Sequence, residues 1–208
     1  MLATNADVTL SELAARAAPL AVGWLLGPAA AGLYAIGQRA TTVLAQPGLI
    51  LGQAAYAELA RLVAAGGGGR RIRAALSASI AIALFAAAPV CLTVALFGRQ
   101  LATAMAGQAF AEAGVVMLWL MAARAILLAG PPLSAALTAL GRPGLSVTAN
   151  LISGPGLILL LPALVAWGGL VGAGLHAVLQ AIVGVAILAA CAWRETREPA
   201  ARLAGVRA

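Results

Sequence analysis

Long apolar blocks alternate with short breaks rich in glycine, proline or arginine along this chain. A bilayer core about 30 Å thick asks a helix for about 20 mostly apolar residues. Six segments meet that length, at 8–26, 33–59, 74–97, 110–140, 145–167 and 170–193. The first carries Glu12 and Arg16 in its opening turns, and a layout that starts it at 17–36 keeps the same count. Breakers separate the blocks: Gly27-Pro28, "GRPG" at 141–144 and Gly168-Gly169. Pro47-Gly48 and Pro131-Pro132 predict kinks within the second and fourth segments. "RLVAAGGGGRRIR" (61–73) reads as a loop, because a glycine run has no reason to stay helical and arginines cannot enter lipid. The pattern predicts an all-α fold, a polytopic membrane helix bundle of about six transmembrane helices spanning 1–194, with a polar tail at 195–208.

Charge orients the bundle. Six spans place Arg61, Arg70, Arg71, Arg73, Arg142, Arg194, Arg197, Arg202 and Arg207 on one side and Arg99 alone on the other. Positive residues mark the cytoplasmic face, so both termini are expected there. Trp24, Tyr34, Phe97 and Trp167 fall at the outer interface, and Tyr56 and Trp193 at the inner one, as headgroup-level rings do. Composition agrees with lipid as the solvent: 63% of residues are hydrophobic and 9% charged, with a mean hydropathy of +1.02, whereas a soluble domain carries roughly a quarter charged residues. The net charge of +7 is all arginine. Its placement between apolar blocks follows the positive-inside rule and argues against nucleic acid as a partner. The N-terminus lacks the basic and apolar regions of a cleaved signal.

Few polar side chains remain at membrane depth: Arg16, Arg39, Arg124, Gln46, Gln53, Asn150, His176 and Gln180. An arginine at mid-bilayer costs about 2.5–3.5 kcal/mol on insertion scales, so it should face protein or a wet cavity. Glu12 is one turn from Arg16, an ordinary i,i+4 pair. Arg39 is close enough to the outer interface to snorkel, which leaves anchor and cavity roles both open. Arg124 has no acid within reach on its helix and is the strongest cavity candidate. His176 and Gln180 share a helix face and suit interhelical hydrogen bonding, and Asn150 can bind helices together in the same way. The small-residue spacing of Gly168 and Gly172 allows close helix approach. Cys91 and Cys191 fall at different depths and predict no disulfide. Catalytic motifs, metal-ligand clusters and cofactor loops are absent from the sequence, so neither an enzyme nor a cofactor is expected.

One ordered set of motifs points further. "GWLLGPAAAGLYAIGQRATTVLAQPGLILGQAAYAELARL" (23–62) carries Leu26-Gly27, Gly32, Tyr34, Arg39 and Glu58-Leu59-Ala60-Arg61-Leu62. "LTALGRPGLSVTANLI" (137–152) and "GGLVGAGLHAVL" (168–179) follow in order. Together they resemble the C-terminal half of polysaccharide exporters of the Wzx type. These are the oligosaccharide flippases of the MOP superfamily, related to MATE transporters. The resemblance implies one six-helix lobe of a two-lobe transporter in the bacterial inner membrane. Its substrate would be an undecaprenyl-diphosphate-linked oligosaccharide. It also implies a second lobe, supplied by a separate chain, a missing N-terminal half or a homodimer. Arg124, Arg39 and Arg16 are then the candidate diphosphate contacts, with Gln53 and Asn150 as candidate sugar contacts. Two alternatives stay open: a lobe of a cation–drug antiporter, which wants acids within the membrane, and a membrane remnant or assembly partner that transports nothing.

Overall fold

Residues 18–197 are described by the structure, a computed structural model, and among them every regular element is helical. Helix α1 covers 18–26. It is followed by α2 (Pro28–Ala40), a 3-10 turn (Thr41–Leu44), α3 (Ala45–Ala64) and α4 (Gly69–Ala106). Next come α5 (Ala113–Leu127), α6 (Gly130–Ala139), α7 (Pro143–Ser153), a 3-10 segment (Pro155–Leu160) and α8 (Leu161–Glu195). Among the described residues three stretches are long and apolar enough to cross a membrane: Gly69–Ala106, Ala113–Ala139 and Pro143–Glu195.

Contacts give the direction of each helix. The chain turns back at Gly27, where φ is +90°, and Gly23 then lies against Ala31. α4 and α5 run antiparallel around Gly107, with Gly98 against Gly114 and the Cys91 thiol 4.0 Å from the Met121 carbonyl. α2 and α3 run parallel to α5 and α6: Gly37 meets Val116 and Leu120, Gly48 meets Leu128, and Gly52 meets Pro131. The longest apolar stretch, Pro143–Glu195, is folded on itself. Gly169 holds φ 56° and ψ −133°, a region closed to side chains. Beyond it Gly172 abuts the backbone of Leu164 so closely that any β-carbon would strike the carbonyl. From there Gly184 meets Ser153, and Arg142 reaches Glu195 at 3.9 Å, so the two limbs are antiparallel throughout.

The turns therefore gather at two ends of the bundle. At the Gly107 end, Val22, Tyr34, Val116, Leu161, Val165 and Ala173 pack together. At the Gly141 end the core is Leu59, Ile72, Leu76, Leu133, Leu137 and Ala192. Between them Leu44, Ala87, Met117, Met121 and Leu128 fill the middle. α5 and α6 form the centre, while α4 lies at the edge and exposes Phe85, Leu92 and Leu96. A surface with this many bare apolar side chains is suited to lipid, and it supports membrane association.

Two expectations need correction. The loop read at 61–73 is far shorter: α3 continues to Ala64 and α4 begins at Gly69. Gly66, with φ +69°, makes most of the turn, so Arg61, Arg70, Arg71 and Arg73 are carried on helix ends. Helices need not stop where lipid does, because their backbone groups stay satisfied in water too. Arg61 illustrates this: it lies 2.9 Å from Glu58, and that hydrogen bond raises the pKa of its guanidinium. The kinks also shift. The chain departs from α-helix at Thr41–Leu44, ahead of Pro47, and at Leu128-Ala129, ahead of Pro131. Pro131 and Pro132 then fall in the first turn of α6, where a missing N–H is harmless. The first apolar segment, read as 8–26, is described only from residue 18.

Candidate functional site: an arginine among broken helices

Three helical breaks fall within about two turns of one another in the middle of the bundle. The first is the 3-10 turn Thr41–Leu44 between α2 and α3, and the second is Leu128-Ala129 between α5 and α6. The third, from Gly154 through the 3-10 segment, joins α7 to α8. Their closeness in depth follows from the pairs Gly37–Leu120, Gly48–Leu128, Gly174–Trp119 and Gln180–Gly154. Away from water, carbonyls released by a break need partners. Thr41 Oγ1 donates to the Gln38 carbonyl at 2.7 Å and Thr42 Oγ1 to that of Arg39 at 2.7 Å. His176 Nε2 lies 2.9 Å from the Leu157 carbonyl, and Gln180 Nε2 donates to the Gly154 carbonyl at 3.4 Å. The interhelical hydrogen-bonding role expected of His176 and Gln180 is therefore what the structure shows, with the third break as its acceptor.

Arg124 occupies the last turn of α5, directly before the second break. A cation there is favoured by the partial negative charge of the helix C-terminus. It lines a half-open cleft of about 190 Å³ with Leu44, Ala45, Gly48, Leu49, Leu128 and Pro131. Every other lining side chain is apolar. Arg124 is half-buried and makes no ion pair or side-chain hydrogen bond among the described residues. A half-desolvated guanidinium in an apolar cleft, with its donors uncommitted, is suited to an anionic oxygen and in particular to a phosphate.

The remaining candidates lie outside that cleft. Arg39 is in the last turn of α2, again directly before a break, but its side chain is exposed. Gln53 is exposed one turn beyond Leu49 on the flank of α3 that carries the cleft, and Gln46 is exposed nearer Arg39. Asn150 is half-buried on α7, where its backbone carbonyl accepts from Gly154 N at 2.8 Å. Arg16, and Glu12 with it, lie outside the described residues. The breaks that flank Arg124 were expected at Pro47-Gly48 and Pro131-Pro132, and the structure places both a few residues earlier. A signal for them exists, since both arginines precede a breaker within seven residues: Thr41-Thr42 after Arg39 and Pro131-Pro132 after Arg124.

Cys91 and Cys191 are free thiols, and no group of three metal-ligating side chains gathers among the described residues. No family model, curated protein or solved structure matches the chain.

Proposed function

We propose that the chain is a six-pass lobe of a membrane transporter for a lipid-linked, diphosphate-bearing substrate, in the manner of the oligosaccharide flippases that its sequence resembles. The observation that carries this reading is Arg124: a cation with no partner among the described residues, in an apolar cleft, close to where three helices break. Broken helices around a mid-membrane charge are a recurring way to build a transport site. The reversals at Gly27, 65–68, Gly107, Gly141 and Gly169 support six passes with alternating direction. The excess of arginine at the Gly141 end supports a cytoplasmic location for that end and for both termini, in a bacterial inner membrane.

Size bears on the partner. A cleft of about 190 Å³ is smaller than the roughly 300–1,000 Å³ of small-molecule sites. A sugar-bearing lipid therefore needs a second lobe facing this one, whether from another chain, another part of a longer chain or a second copy. Arg39, Gln46 and Gln53 are exposed on the α2–α3 rod, where such a lobe can meet the substrate with them. The antiporter reading lacks support at this level, because no carboxylate among the described residues lies near the breaks. The small cleft also favours one rival, an assembly partner that moves nothing.

Complementation of polysaccharide export in cells lacking the native protein separates these readings. Arg124→Ala should lower export by at least about tenfold, as expected for one lost charge-assisted contact. Arg124→Lys should keep part of it. Equal export by wild type and Arg124→Ala, at matched membrane abundance, would overturn the assignment.

A further inference from the structure

A second cleft, of about 460 Å³, opens between α4 and α5 at the Gly107 end and plays no part in the transport reading. Its walls are Val94, Leu96, Arg99 and Gln100 on α4, with Glu112, Val115 and Leu118 among those facing them. Close backbone contact forms its floor. A β-carbon on Gly114 would lie 2.8 Å from the Arg99 nitrogen and 2.9 Å from the Gly98 carbonyl carbon. Directly before this contact α4 leaves helical geometry at Phe97, with φ −121° and ψ 15°.

The cleft is graded along its length. Its end nearest the Gly107 turn holds one cation and one anion, Arg99 and Glu112. These make no ion pair with each other or with any other described residue. Toward the middle of the bundle it is lined by Leu96, Val115 and Leu118, which are 63%, 55% and 37% exposed. Water does not suit that end, and a single ion of either sign does not suit the other. An amphiphile with a zwitterionic head satisfies both.

We propose that this cleft is a binding site for an aminophospholipid, phosphatidylethanolamine in chemical terms. The Arg99 guanidinium holds the phosphate and the Glu112 carboxylate accepts from the primary ammonium, while one acyl chain lies along Leu96, Val115 and Leu118. Each head contact is a charge-assisted hydrogen bond. A choline head has no N–H to give Glu112. A glycerol head offers Glu112 only neutral hydroxyl donors, beside a lipid of net negative charge. The site therefore selects the ethanolamine head over both. This inference uses the membrane placement of the bundle and not its transport role, so it stands or falls separately.

The test is native mass spectrometry of the full chain in detergent, delipidated and then exposed to dioleoyl phosphatidylethanolamine, phosphatidylcholine or phosphatidylglycerol in equal amounts. Wild type should retain the ethanolamine lipid about tenfold more strongly than the choline lipid, the scale of one charge-assisted contact. Glu112→Gln should erase that preference while phospholipid is still bound, and Arg99→Gln should weaken retention of all three lipids. Circular dichroism of each variant confirms that the helices are intact. Equal retention of ethanolamine and choline lipids by wild type overturns the proposal. An unchanged preference in Glu112→Gln does the same.

Discussion

The two clefts hold the same side chain in opposite circumstances. Arg124 stands midway along the bundle, half-buried, with apolar walls around it and no acid near it among the described residues. Arg99 stands at a bundle end, exposed, with Glu112 across the cleft. An interfacial arginine is nearly free of desolvation cost because its head reaches water. A mid-membrane one is not, and among the described residues it is the C-terminus of α5 that offsets it. Position, not residue type, decides which arginine calls for a functional explanation. The larger cleft can be explained by lipid alone, whereas the smaller one needs a substrate or a partner.

The sharpest way to separate them is to destroy one and keep the other. Gly114→Leu drives a side chain into the Gly98–Arg99 backbone, which cannot yield as a flexible side chain would. It should lower stability by about 3 kcal/mol, read as thermal unfolding in bicelles, and abolish lipid selectivity. An unfolding temperature within a degree of wild type would show that α4 and α5 are not in contact there.

A smaller effect of opposite sign is expected at the other cleft. Arg124→Met keeps much of the volume and removes the half-desolvated charge. It should raise stability by about 1–3 kcal/mol while export falls. A variant that is less stable than wild type would make Arg124 a structural residue and erase the contrast. The smallest effect belongs to Arg99→Met, which should move stability by no more than about 0.5 kcal/mol in the same assay. A loss beyond about 2 kcal/mol would mean that the guanidinium is tied into the fold.

Much of this geometry was legible from breaker chemistry. Gly27-Pro28, "GRPG" and Gly168-Gly169 turn the chain where the sequence placed them, since positive φ leaves glycine as the natural choice. The glycine run at 66–69 misled by its length, because a reversal needs only part of it. The 3-10 turn at Thr41–Leu44 and the break at Phe97 were not legible, for neither is set by proline at the break itself. Both depend on what packs alongside: Leu44 beneath α5, and Gly98 on Gly114. Depth alone singled out Arg124. That Arg39 is exposed outside its cleft, while Gln53 sits one turn beyond its edge, depends on helix rotation around an irregular turn, and residue spacing does not encode that rotation.

The charges that bracket α4 have a mechanical consequence. From Ala74 to Gly98 the helix is uncharged, with Arg73 before it and Arg99 after it. At 1.5 Å per residue that run rises about 37 Å, several ångströms more than an average hydrocarbon core of about 30 Å. A helix fenced at both ends cannot slide to hide the excess, so it must lean, bend or thicken the lipid around it. The irregular turn at Phe97 lies at the far end of this run. In a thicker membrane α4 would stand straighter, and the angle between α4 and α5, which shapes the lipid cleft, would follow the thickness of the bilayer.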